Sequence, residues 1–134
     1  MKSIKAILFA ILFIVFYSNA YSITAKNIPV GITDAFKNGN SKELATYFNN
    51  NIEITLLETE GIYSKSQAEQ ILADFFKKYP PKNFQTIHRG GKEGSNYAIC
   101  EFYSGEKKFR VTIYLKEINN ESLIHQLRIQ HDNN

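Results

Sequence analysis

The chain has 134 residues, enough for one domain with its own core and too few for two, with 16 Lys and Arg against 13 Asp and Glu and with ten Phe and eight Tyr as core material. So small a surplus of positive charge, with no basic run longer than the pairs Lys77-Lys78 and Lys107-Lys108, argues against nucleic acid as a partner. A single cysteine, Cys100, excludes an internal disulfide and any multi-cysteine metal centre, and reads as a small buried thiol in a strand.

Lys2 and Lys5 precede an unbroken apolar or aromatic run from Ala6 to Tyr17, and Ser18-Asn19-Ala20 supplies the small-x-small pattern read by a signal peptidase. The run of 12 residues falls short of the roughly 20 that cross a bilayer as a helix. Residues 1–20 are therefore expected to be a secretory signal peptide, cleaved after Ala20 or, as second choice, after Ser22. The mature chain, residues 21–134, is then a single secreted or periplasmic domain without a membrane span. Cleavage removes two lysines and no acid, so the formal charge drops from +3 to +1.

Ile28 to Asn51 reads as a helical hairpin. Ile28, Ile32, Ala35 and Phe36 recur at helical spacing, Gly39 stops the first helix, and Ser41 opens a second that carries Leu44, Ala45, Tyr47 and Phe48 until Asn49-Asn50-Asn51 breaks it. Ile52 to Leu57 alternates as a half-buried strand, followed by a turn or short strand through Glu60-Gly61-Ile62-Tyr63. Ser64 to Lys78 is the best-marked helix. Ser64 and Gln67 are spaced as a capping box, Ala68, Ile71, Leu72, Phe75 and Phe76 make one apolar stripe, and Pro80-Pro81 ends it. Four extended segments then follow, Asn83–Arg89, Asn96–Tyr103, Lys107–Lys116 and Ser122–Gln130, linked as hairpins by Gly90 to Ser95, Ser104-Gly105-Glu106 and Asn119-Asn120.

Enzyme signatures are missing. Gly90-Gly91-Lys92 has Glu93 where a phosphate-binding loop needs Ser or Thr, and it reads as a hairpin loop. His88, His125 and His131 lack metal-ligand spacing, so no metal and no cofactor is expected. Strand parity puts His88 on the face of Phe84, and His125 on the face of Leu123, Leu127 and Ile129. Both imidazoles are thereby candidate polar anchors in an apolar pocket. Glu53, Glu58 and Glu101 are the acids most likely to fall on strands, and Glu101 alternates with Tyr97, Ile99 and Tyr103 on a face able to line a cavity. The ligand-pocket candidates are thus His88, His125, Glu101, Glu53 and Tyr103. Arg110, Tyr114, Gln126 and Arg128 share the other face of the sheet, where long polar side chains suit a dimer contact.

The element order resembles the cone-shaped fold of the nuclear transport factor two and ketosteroid isomerase superfamily, and the chain is similar to a family of uncharacterised secreted bacterial proteins with that fold. The resemblance rests on Ala35-Phe36-Lys37-Asn38-Gly39-Asn40 with Leu44 and Tyr47-Phe48, on Ser64-Lys65-Ser66-Gln67-Ala68 with Phe75-Phe76, on His88-Arg89-Gly90, on Phe109-Arg110-Val111 and on Gln126-Leu127-Arg128-Ile129. It implies an α+β domain in which a curved antiparallel sheet wraps about three helices, with a cavity at one end and the outer sheet face free for homodimerisation. Isomerase members use an aspartate base. Here Asp34 and Asp74 fall on helices and Asp132 in the tail, so that machinery does not map. The expected function is a non-catalytic module that binds a small apolar ligand or a protein partner. The alternatives are a lyase or isomerase with Glu53 or Glu101 as base and His88 or His125 as donor, and an envelope scaffold using its outer face.

Overall fold

The computed structural model describes residues 27–133, so the expected signal peptide and both cleavage points lie outside the described residues. Pro29 opens α1 (Val30–Asn38), which buries Ile32, Ala35 and Phe36 along one stripe. Gly39, at φ +62°, ends the helix in the left-handed region that costs glycine least. Asn40 then caps α2 (Ser41–Ala45) by accepting from the Glu43 N–H at 3.0 Å. The second helix is shorter than its sequence suggests. Tyr47 turns out of it, Phe48 opens β1 (Phe48–Leu56), and the three asparagines continue the strand instead of breaking the helix. The reason is tertiary: the Ile124 N–H donates to the Tyr47 carbonyl at 2.7 Å and Phe48 pairs with Ile124, which captures the segment for the sheet.

β2 (Thr59–Ser64) returns antiparallel to β1, and its last residue caps α3 (Lys65–Lys78) with both halves of the expected capping box formed. The four expected strands follow as β3 (Asn83–Lys92), β4 (Ser95–Ser104), β5 (Lys107–Ile118) and β6 (Glu121–His131). β3 runs through Gly90 and Gly91, so the expected six-residue hairpin loop shrinks to a tight turn at Glu93-Gly94. Together the six strands form one sheet in the order β2-β1-β6-β5-β4-β3. Every neighbouring pair is antiparallel except β1 with β6, which run parallel.

α1 and α3 cover the inner face of this sheet. Phe36 stacks on Phe84 with centroids 4.6 Å apart and rings 5° from parallel, while Phe75 meets Phe102 and Phe109 at 5.6 and 5.4 Å. Strand alternation supplies the rest of the core. Ala98, Cys100 and Phe102 of β4, Val111, Ile113 and Leu115 of β5, and Ile124, Leu127 and Ile129 of β6 are all buried. The fold is α+β with a curved, unclosed sheet around few helices, as expected.

Candidate functional site

Alternation along the strands assigns each candidate residue to a face, and two bulges revise the expectation. In β3, Thr86 pairs with Cys100 but His88 pairs with Ile99, so Ile87 is an extra residue. The extra residue reverses the parity of everything after it. Phe84 points into the core, whereas His88 comes out on the other face, its Nε2 3.3 Å from the Tyr97 hydroxyl. In β6 the register slips between the pairs Tyr114–Gln126 and Leu115–Ile124, leaving His125 unpaired and beside the outer ring of Tyr114. Neither imidazole is an inward anchor. Burial and the nearby Lys116 push the His125 imidazole below its ordinary pKa.

Glu53 and Glu101 go outward as well, while Glu58, expected on a strand, falls in the turn between β1 and β2. Gln126 Nε2 donates to Glu53 Oε1 at 3.3 Å across β1 and β6. Glu101 accepts from Gln85 Nε2 at 2.9 Å and from the Tyr103 hydroxyl at 2.7 Å, and pairs with Lys108 Nζ at 2.7 Å. Those donors, Lys108 foremost, hold its carboxyl down to about 2. The same contact raises Tyr103 and Lys108 above their ordinary values. Lys108 also reaches Asp132 at 3.4 Å, which ties the tail to the sheet. Arg110, Tyr114, Gln126 and Arg128 share this outer face, as their register with Glu101, Tyr97, Glu53 and Thr55 requires. Thr55 Oγ1, His125 Nδ1 and Arg128 Nε, buried on this side of the sheet, have no hydrogen-bond partner among the described residues.

On the inner side, a half-open cavity of about 460 Å³ lies where the β1–β2 turn, the end of β6 and α3 converge. Ile54, Leu56, Leu57 and Ile71 make its apolar walls, and Glu58, Thr59, Tyr63 and His131 supply its polar atoms. None of the five pocket candidates, His88, His125, Glu101, Glu53 and Tyr103, lines it. His131 faces inward because it pairs with the buried Phe109, whose ring centroid is 5.0 Å away. Leu57 stands at φ +56°, a conformation that costs a non-glycine residue of order 1–3 kcal/mol. Its N–H donates to the Ile129 carbonyl at 2.7 Å, which fixes the turn over the cavity. A strained leucine between an apolar strand and Glu58-Thr59 carries no sequence signal, and His131 sits one residue past the expected end of its strand. Tyr63 was legible only as part of a turn or short strand, and the structure makes it a strand.

The arrangement can enclose an apolar body and offer hydroxyl, imidazole and carboxylate groups at one end. Among the described residues there is no cluster of His, Cys, Asp and Glu able to hold a metal ion. No described helix is long and apolar enough to cross a membrane.

A family model described as "Domain of unknown function (DUF4783)" matches residues 30–130. Among solved structures, a DUF4783 family protein from Bacteroides ovatus is 32% identical at a TM-score of 0.76, covering 80% of this chain and 97% of its own. A DUF4783 family protein from Bacteroides uniformis is 30% identical at a TM-score of 0.76, covering 81% of this chain and 100% of its own. An NTF2-like protein of unknown function from Shewanella baltica, 8% identical at a TM-score of 0.60 over 78% of this chain and 88% of its own, shares the fold alone. No curated protein matches.

Proposed function

This chain belongs to the DUF4783 family, and on its NTF2-like cone we propose a non-catalytic binding module that takes a small apolar ligand in the cavity beside the β1–β2 turn. Residues 1–20, read as a signal peptide, would deliver it to the periplasm or the exterior. The carrying observation is the cavity itself: its size suits a small molecule, its walls are aliphatic, and its few polar groups gather at the turn and the end of β6. Glu53 and Glu101, the bases a proton-transfer enzyme was expected to use, lie across the sheet from it, the latter held ionised by Lys108. Titration with the apolar fluorophore N-phenylnaphthylamine tests the reading. Saturable, one-to-one enhancement is expected, and Ile71→Trp, which fills the cavity from α3, abolishes it while the circular dichroism spectrum stays unchanged. A wild-type protein that does not bind the probe, or an Ile71→Trp variant that binds as well, sinks the proposal.

A second reading, homodimerisation through the outer face, is favoured by Arg110, Tyr114, Gln126 and Arg128, whose long polar side chains the strand register gathers on one patch of that face. Native mass spectrometry should show a dimer that Arg128→Glu dissociates. A monomer at every concentration rules this reading out.

A further inference from the structure

β2 contributes Thr59 and Tyr63 to the cavity wall, and the tyrosine ring lies on a glycine. Thr59, Gly61 and Tyr63 share the inner face of β2, with Gly61 opposite the fully buried Ile54. A Cβ placed on Gly61 would stand 2.7 Å from the Tyr63 hydroxyl oxygen and 2.8 Å from the ring carbon that bears it. The ring therefore runs back along the strand over Gly61, and delivers its hydroxyl toward Thr59 and the turn. Gly61 is not among the glycines at positive φ, so its backbone would accept any residue. What the position requires is space. Two other tyrosines rest on glycines, Tyr47 on Gly31 and Tyr97 on Gly90, but neither lines the cavity.

Resting on the ligand-binding reading, we infer that Gly61 and Tyr63 decide what the cavity accepts. The glycine keeps the ring flat and the cavity deep, and the hydroxyl holds the oxygen-bearing head of an uncharged aliphatic or aromatic molecule. The head is not anionic, because among the described residues no Lys or Arg lines the cavity to neutralise a carboxylate or phosphate and Glu58 at its edge repels either, and it is not an ammonium, because the aliphatic walls of Ile54, Leu56, Leu57 and Ile71 make its desolvation costly. The Tyr63 hydroxyl is free for the task, since it has no hydrogen-bond partner among the described residues. A side chain at position 61 lifts the ring, and the open space beside it is the cavity.

The test is displacement of N-phenylnaphthylamine by a homologous series of primary alkanols. In the wild type, affinity is expected to rise with chain length and then cut off. Gly61→Ala should move the cut-off to shorter chains, and Gly61→Ala combined with Tyr63→Ala should restore or extend it by removing the lifted ring. Tyr63→Phe should weaken the alkanols by roughly three- to tenfold, the worth of one net hydrogen bond, while the oxygen-free fluorophore binds as before. A wild type that binds no probe overturns this inference together with the binding reading. Probe binding with a length profile unmoved by Gly61→Ala, with alkanols that fail to compete, or with a double variant that does not recover, overturns the inference alone.

Discussion

Cys100 and Glu101 are neighbours in β4, and the sheet separates them completely. Cys100 points into the core, where burial pushes its thiol up to about 11, while Glu101 points outward, where Lys108, Tyr103 and Gln85 hold its carboxyl down to about 2. The inner face is aromatic and aliphatic, and its cavity beside the β1–β2 turn borrows polarity from a turn and a strand end. The outer face carries His88 and His125 with most of the strand acids and bases that stand out in the sequence, many of them occupied with one another. Most charged residues on strands thus mark the solvated polar surface of this cone, and the pocket is built largely from residues that look structural, with Glu58 and His131 at its edge.

The sharpest break between the faces is expected in stability. Phe36→Ala removes a ring stacked on Phe84 and edge-on to Phe76 at 5.9 Å, and should cost about 3–5 kcal/mol in urea unfolding. Arg110→Ala removes an outer side chain whose ion pair with Asp132 spans 3.9 Å, and should stay within about 0.5 kcal/mol. Comparable losses at the two positions would mean that the outer face is packed as a second core.

Binding divides the histidines in the same way. His131→Ala, at the cavity, should change N-phenylnaphthylamine affinity several-fold, whereas His88→Ala should leave it unchanged, because His88 meets Tyr97 on the far side of the sheet. An effect of His88→Ala as large as that of His131→Ala would place the probe on the outer face.

Most of the architecture was legible because it rests on local chemistry. The Ser64–Gln67 capping box, the stripe from Ala68 to Phe76 and the alternation of Phe109, Val111, Ile113 and Leu115 each need only a short window of sequence. The site was not legible, because single residues decide it. Ile87 and the slip at His125 each insert one position into a strand and turn an inward histidine outward, and no residue type announces a bulge. The strained turn at Leu57 is imposed from a distance by the Ile129 carbonyl.

The smallest effect concerns acid. Glu101 is held well below its ordinary 4.5 in the folded chain by Lys108, Tyr103 and Gln85, so as pH falls the unfolded chain binds that proton first. Its stabilisation is therefore complete above about 4.5 and fades as pH approaches about 2. Glu101→Gln should lower the urea midpoint modestly near neutrality and converge on the wild type in strong acid, since the variant has no carboxylate to lose. Should wild type and variant lose stability in parallel over that window, the outer network would contribute nothing to the fold. Its charges would then be held in place by the sheet instead of helping to hold it.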